Sequence, residues 1–411
     1  MTDAAADLER TSERLPPIVL GDGITALGVV RSLGRAGLEP MLASRSGDFA
    51  GRSRWVRGRT LDLSESDDPA ALLEGLRGAG VETGVLIPCS DLWSQAVSHV
   101  PDEARGRFPT SMPSVEVVEL LVDKWLFAET LDRFEVPHPA TLAAADVSDL
   151  DGVELDGFFL KPRDSQRFSR LFRKKAIRFA DRAEAVEGLQ AMVDAGLPAV
   201  LQEYVPGPPT AHYFVDGFVD RTGVVRALFA RRRIRMFPTD FGNSSMMVSV
   251  PLEEAAQAAG SLERLFADIG YRGTFSAEFK RDPRDGAFKL LEVNSRPWWY
   301  IGFAAHCGVD VSVMIHRDAL GLPVETVSHY KVGERCVLLP QDFRAYRAIR
   351  RTDGLSFVSW VRSWIGATPS IFQRSDPLPA LGLPIFAVRR RRRSVPATSP
   401  ATAQSPPENA E

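Results

Sequence analysis

Residues 274–297 read TFSAEFKRDPRDGAFKLLEVNSRP, two short apolar runs joined by a turn. The runs Thr274–Lys280 and Ala287–Asn294 are rich in Phe, Leu, Val and Thr. Asp-Pro-Arg-Asp-Gly at 282–286 is turn chemistry between them, so the segment predicts a β-hairpin. Glu278, Glu292 and Asn294 are hard oxygen donors, and poor choices for the inside of a strand unless something binds them. Side chains alternate along a strand, so Glu292 and Asn294 share a face about 6–7 Å apart. Whether Glu278 joins them depends on register. A two-residue turn on Asp285-Gly286 pairs Glu278 with Val293 and sends the two glutamates to opposite faces. A five-residue loop, 283–287, sets Glu278 directly across from Glu292 with Cβ atoms about 5 Å apart. The second arrangement suits Mg2+, which takes one or two carboxylates and fills its shell with water and phosphate oxygens. The other reading is a solvent-facing strand edge with scattered charges, as Lys280 and Lys289 suggest.

At 411 residues the chain is long enough for two or three domains, each with an ample core. A net charge of −3 gives no general reason to expect nucleic acid as a partner. Cys89, Cys307 and Cys336 are far apart without CxxC spacing, which fits a reduced cytosolic protein better than a disulfide framework or zinc site. Residues 1–14 are acidic and polar with no secretory h-region, and no run of 18 apolar residues predicts a membrane span. The expected location is cytoplasmic.

Residues 1–14 and 394–411 have the composition of disordered tails. Strand-like runs at 18–20, 39–43 and 85–88 alternate with helical ones at 24–36 and 70–77, a βαβ succession that predicts a doubly wound parallel sheet. Beyond Pro113 the pattern changes. A long helical stretch, Ser114–Phe134, precedes strand-like runs at 157–161, 176–179 and 199–205, with a helix at 183–194. Antiparallel strands at 211–220 and 223–230, a helix at 252–269, the hairpin and a helix at 311–320 follow. The fold class is therefore α/β and α+β: a Rossmann-like front half leading into an α+β body.

Gly21-Asp22-Gly23-Ile24-Thr25-Ala26 follows a strand and opens a helix, the context in which G-x-G-x-x-A marks a dinucleotide site. The second strand ends without the acidic residue that holds an NAD ribose, and Arg45 there suits a 2′-phosphate. That keeps an NADP-dependent oxidoreductase as one reading; a glycine turn that packs helix on sheet is the other. Lys161 ends the apolar strand Gly157–Lys161, where a buried cation calls for an anion, either phosphate or a structural carboxylate. The basic run Arg231-Arg232-Arg233-Ile234-Arg235 reads as a solvated loop or as a mobile clamp on phosphate or an acidic substrate. Asp216 and Asp220 are assigned to a hairpin turn. Arg389–Arg393 reads as a solvated run with a weak attraction for anionic surfaces. Six dispersed histidines and the lack of a G-x-S-x-G motif give no hydrolase constellation.

Taken in order, Lys124, Leu160-Lys161-Pro162, Leu201-Gln202-Glu203-Tyr204-Val205, Ala277-Glu278-Phe279 and Leu291-Glu292-Val293-Asn294-Ser295-Arg296-Pro297 resemble the ATP-grasp superfamily, in its carbamoyl-phosphate-synthase-like branch. The resemblance implies a Rossmann-like pre-ATP-grasp domain at 15–112, a two-lobed ATP-grasp domain at 113–325 with a lid at about 137–205, and a C-terminal element at 326–393. It implies ATP and Mg2+, with two ions expected and Mn2+ as a substitute, held by Glu278, Glu292 and Asn294. It places Lys124, Lys161 and Lys175 on the phosphates and Gln202, Glu203, Tyr204 and Val205 on adenine and ribose, with His212 nearby. Arg296, Arg233 and Arg235 become the catalytic cations for a carboxylate–amine ligase working through an acyl-phosphate. The implied partners are small amino-acid-like carboxylates and amines, with neither nucleic acid nor membrane span, in a homodimer. One departure stands out: residues 163–170 contain no glycine where many members carry a glycine-rich phosphate loop. A non-catalytic nucleotide-binding module is the reading that departure favours. Lids are expected at 163–175 or 231–245.

Overall fold

The computed structural model describes residues 15–382, apart from 57–58, 165–167, 169–170, 240 and 353. The expectations for 1–14, for Arg389–Arg393, for the 394–411 tail and for most of 165–170 lie outside the described residues.

The first sheet is built from β1 (Pro17–Leu20), β2 (Met41–Ser44), β3 (Thr60–Asp62) and β4 (Val85–Pro88) in the order β3-β2-β1-β4, all parallel. β1 and β4 are buried along their whole length, as expected when both faces of a parallel sheet are covered. Gly21 and Gly23 adopt left-handed φ values of 144° and 73° to turn β1 into the helix Gly23–Arg35. A Cβ on Gly21 would stand 2.9 Å from Cβ of Cys89, so this turn is packed against the end of β4. Halfway along the helix, a Cβ on Gly28 would meet Ile301 at 2.9 Å and the Gly302 nitrogen at 3.1 Å. One apolar core runs through this crossing, joining Leu27, Val30 and Leu33 to Phe229, Ile301 and Phe303.

A smaller antiparallel sheet, ordered β5-β7-β6, comprises β5 (Thr141–Ala144), β6 (Phe158–Pro162) and β7 (Ala199–Glu203). The helix Arg182–Asp194 buries Ala185, Leu189 and Met192 with Leu160 and Leu201 in a separate core. The expected strand 176–179 reduces to a single bridge between Ile177 and Leu160.

The third sheet has seven strands: β8 (His212–Val219), β9 (Val225–Phe237), β10 (Asn243–Ser249), β11 (Gly273–Arg281), β12 (Phe288–Asn294), β13 (Arg335–Val337) and β14 (Thr368–Pro369), ordered β12-β11-β8-β9-β10-β13-β14. Its centre corrects one expectation. The arginine run is neither a loop nor a mobile clamp but the middle of β9, with Arg231, Arg233 and Arg235 all buried. A strand can bury three cations on one face only if each meets an anion, and three carboxylates from separate elements do so. Arg231 pairs with Asp216 at 2.5 Å, Arg233 with Glu278 at 2.9 Å and Arg235 with Asp342 at 2.8 Å. Asp216 is thus a fully buried core carboxylate rather than a turn residue, whereas Asp220 does cap its turn, accepting from the amides of Thr222 and Val224. With 231–237 in a strand, the expected 231–245 lid does not form as such.

The expected helix Ser114–Phe134 is two helices, Val115–Val122 and Lys124–Arg133, broken at Asp123. Asp123 has an extended backbone, and its carboxylate caps the second helix through the amides of Trp125 and Leu126. The same carboxylate grips Arg163, just past β6, at 2.6–3.0 Å. The break sets Lys124 at the first helical position, pointing the way into the cleft described next.

Candidate active site

β11 and β12 form the hairpin, but its register is reached in an unexpected way. Near the turn, Arg281 pairs with Phe288, Lys280 with Lys289 and Phe279 with Leu290, and the Asp282 amide bonds the Ala287 carbonyl. The loop is therefore 283–286, one residue shorter than the 283–287 loop expected. Continued unchanged, that register would set Glu278 opposite Leu291 and turn Glu292 to the other face. A bulge intervenes: the next pairs are Glu278–Glu292, Ala277–Val293 and Ser276–Asn294. Leu291 is the extra residue, and it restores the two glutamates to one face.

Around these glutamates the three sheets converge on a cavity of about 360 Å³. Lys124, Lys161 and Lys175 enter it from the helix Lys124–Arg133, from β6 and from the segment before Ala176, facing Glu278, Glu292 and Asn294. Arg231 and Arg233 from β9, Arg296 just past β12, and the carboxylates Asp91 and Asp164 complete its charged lining. A second cavity of about 150 Å³ shares Lys161, Lys175, Arg233, Glu278 and Glu292 with the first. Its far walls are Gln202, Glu203, Tyr204 and Val205, with His212, Phe159, Met236 and Phe241, a mixture of aromatic surface and strand-end polar groups. The third, about 220 Å³, opens at the carboxyl ends of the first sheet and shares Asp91, Arg296 and Trp299 with the first.

Electrostatics follow from this crowding. Burial, then the Lys124 charge, lower the Lys161 ammonium to about 8, and its Nζ donates to Gln202 Oε1 at 3.2 Å. Burial alone would raise Glu278, but the Arg233 guanidinium and the His212 hydrogen bond hold it far below the usual carboxylate range. Burial and the Arg233 charge lower His212 to about 4, so its ring is neutral at pH 7. Its Nδ1 lies 2.7 Å from Glu278 Oε1 and must carry the proton to donate there. Arg296 is held by Asp91 at 2.5 Å and donates to Asn294 Oδ1 at 3.1 Å, while the Asn294 amide nitrogen donates to Glu292. Asp91 keeps the Arg296 guanidinium charged despite the burial that opposes it.

The donor set fits Mg2+. Among the described residues no group of three or more His, Cys, Asp and Glu side chains is placed to hold a metal ion by itself. Two opposed carboxylates and an amide beside three lysines suit a hard ion that completes its shell with phosphate oxygens and water.

Comparison with solved structures places this architecture. Biotin carboxylase from Campylobacter jejuni superposes with a TM-score of 0.60 at 16% identity, over 78% of this chain and 74% of that one. Carboxyaminoimidazole ribonucleotide synthase from Aspergillus clavatus, complexed with ATP, gives 0.59 at 15% identity over 78% and 80%. The chain has the ATP-grasp fold. Another ATP-grasp neighbour, L-amino acid ligase from Bacillus licheniformis, gives 0.56 at 15% identity over 76% and 75%. In sequence, the chain is 24% identical to D-aspartate ligase of Enterococcus faecium (strain Aus0004) over 326 residues, 75% of this chain and 77% of that one. No family model matches.

Most of the residues expected from the ATP-grasp resemblance meet in the first two cavities. Arg235 is the exception: it lines neither cavity, and its guanidinium bonds Asp342, Met246 and Ser363 instead. Glu203 also turns partly away, accepting from Arg284 and from the Ala140 amide. Arg45 of the NADP reading is bonded through its side chain to Asp22 at 2.5–2.6 Å. Asp91 was missed as a lining residue, and Arg231 was named only within the basic run. Alternation from Arg233 points to Arg231; nothing local marks Asp91, which reaches the site only because the first sheet abuts the hairpin.

Proposed function

We propose that this protein is an ATP-dependent carboxylate–amine ligase that forms an amide or peptide bond through an acyl-phosphate and releases ADP and phosphate. The observation that carries the reading is the opposition of Glu278 and Glu292 on one face, directly across a cleft from Lys124, Lys161 and Lys175. Cations on one wall and metal-type donors on the other match the needs of phosphoryl transfer, where positioning and charge neutralisation dominate. D-aspartate ligase and L-amino acid ligase among the similar proteins support amino-acid-like substrates.

In this reading the aromatic cavity at Gln202–Val205 holds the nucleobase and the three lysines hold the phosphates. Glu278, Glu292 and Asn294 would hold Mg2+, two ions with Mn2+ as a substitute, which neutralises phosphate charge when bound. A substrate carboxylate oxygen attacks the γ-phosphorus and ADP leaves. The amine then attacks the acyl carbon, loses a proton and expels phosphate. Arg296, fixed by Asp91, and Arg233, fixed by Glu278 and Ser244, supply preorganised donors for the oxyanion at that carbon. His212 keeps Glu278 oriented and ionised. Lys175 Nζ donates to Asn243 Oδ1 at 2.7 Å, which fixes this lysine to β10 beside the cleft. We further assign the division at 15–112, 113–325 and 326–393, a cytoplasmic location and a homodimer.

The test is incubation of the purified protein with ATP, Mg2+ and pairs of amino acids or their derivatives, following ADP and phosphate. ADP release that requires both a carboxylate and an amine is the expected result. Tight ATP binding without turnover for any pair would instead favour the nucleotide-binding module.

A further inference from the structure

The C-terminal element carries a surface that ligase chemistry does not use. Its helices Leu339–Ile349 and Phe357–Arg362 bury Tyr346 and Trp360 yet leave further apolar side chains at the surface. Phe357 (59% exposed), Val358 (55%) and Val361 face solvent from the second helix, followed by Ile365 (69%), with Phe343 (46%) on the first. Single exposed apolar residues are commonplace, but a contiguous set marks an interaction site. Phe357 and Val358 stand four and three residues before Val361 on one helix, spacings that make neighbours, and the rings of Phe343 and Phe357 lie 5.9 and 5.6 Å from the ring of the buried Trp360.

Among the described residues of 339–366 the exposed charges have one sign. Residues 339–366 hold five arginines and two aspartates. Arg344, Arg347, Arg350, Arg351 and Arg362 are all exposed, and Arg347 lies over the Phe343 ring at 6.0 Å. Asp342 is fully buried, accepting from Arg235, Ser245, Trp360 and Trp364. Asp353 lies outside the described residues. The rest of the chain more than offsets this, since the net charge is −3.

We propose that this face docks peripherally on an anionic lipid surface, Phe357, Val358 and Ile365 entering the headgroup boundary while the arginines meet lipid phosphates. A second copy is a poorer occupant, because a two-fold contact would set arginines against arginines. Nucleic acid leaves the apolar tips without a partner. The docking is peripheral, as no helix among the described residues is long and apolar enough to cross a membrane. Asp342 is bonded to Arg235 on β9, two residues from Arg233, so docking would hold the cleft close to the lipid surface.

Liposome flotation of the full chain tests this, using phosphatidylcholine vesicles with and without 25% phosphatidylglycerol. The protein should float with the anionic vesicles in 0.1 M NaCl, stay behind with neutral ones, and be released at 0.5 M. Each arginine replaced should lower partitioning roughly fivefold. Arg347→Glu with Arg350→Glu, and separately Phe357→Ser with Val358→Ser, should abolish flotation while the thermal melt and ATP turnover are retained. No flotation on anionic vesicles, or equal flotation on neutral ones, would overturn the proposal. So would a dimer in light scattering that Phe357→Ser with Val358→Ser dissociates, which would give the face to a second copy.

Discussion

Glu278 and Glu292 face each other across β11 and β12 because Leu291 is bulged out of the ladder. Inserting one alanine between Leu291 and Glu292, with the bulge kept, sets the new residue opposite Glu278 and re-registers everything beyond it. The lengthened hairpin can still pair, yet Glu292 and Asn294 turn to the opposite face. Activity should fall to background while circular dichroism and solubility stay close to wild type. Retained turnover would mean that the opposed glutamates are not what the reaction uses.

Glu292→Gln keeps shape and removes charge. Replacing a partner outside the donor set of a metal site typically costs about 10–100-fold, so loss of a donor carboxylate should exceed that in kcat and raise the Mg2+ requirement. ATP turnover against Mg2+ concentration measures both. An unchanged Mg2+ curve would remove Glu292 from the donor set.

His212 is neutral at pH 7, because burial and Arg233 lower it to about 4. Its contribution to Glu278 should thus be constant from pH 5 to 9, with no inflection near 6.5. His212→Phe should raise the half-saturating Mg2+ concentration about tenfold with a smaller effect on the amino-acid KM. His212→Asn, which retains a donor, should restore part of it.

Lys161 gives the site its expected pH limit. Its ammonium is lowered to about 8, so it is charged below that pH and loses its hold on phosphate as pH rises through it. The kcat/KM for ATP should fall above pH 8, approaching tenfold per unit. In Lys161→Arg the cation does not titrate, and the profile should stay flat to higher pH on a lower plateau. Superimposable profiles for the two proteins would assign the limb to another group.

Asp342→Ala removes the acceptor of Arg235 and of the Trp360 and Trp364 indoles, leaving a buried cation unpaired. Such a loss costs about 3–5 kcal/mol, readable as a lower denaturation midpoint. Asp342→Ala with Arg235→Met should recover much of it. Similar destabilisation in the double variant would show that the charge pair is not the source.

The hairpin and its donors were legible because turn residues and misplaced carboxylates are local signals. Its register was not, since nothing in Leu290-Leu291-Glu292 marks one residue as extra. The arginine run was misread for a different reason. Four arginines in five positions look solvated until Asp216, Glu278 and Asp342 arrive from three distant elements to neutralise three of them. The break at Asp123 likewise depends on Arg163, forty residues away. Interactions at such separation leave no periodicity in a single sequence, whereas Lys161 stood out because it ends an apolar strand, and Lys124, Lys175 and the 201–205 strand entered only through the ATP-grasp resemblance.

Gly28 and the Ile301–Gly302 backbone meet where no side chain fits, inside a core shared by the front sheet and the catalytic sheet. The front segment is consequently not severable. Expressed alone, it would present the Leu27–Val30–Leu33 stripe to water, and the remainder would lose the wall that carries Asp91. Division of labour along this chain is topological, and the two halves stand or fall as one cooperative solid.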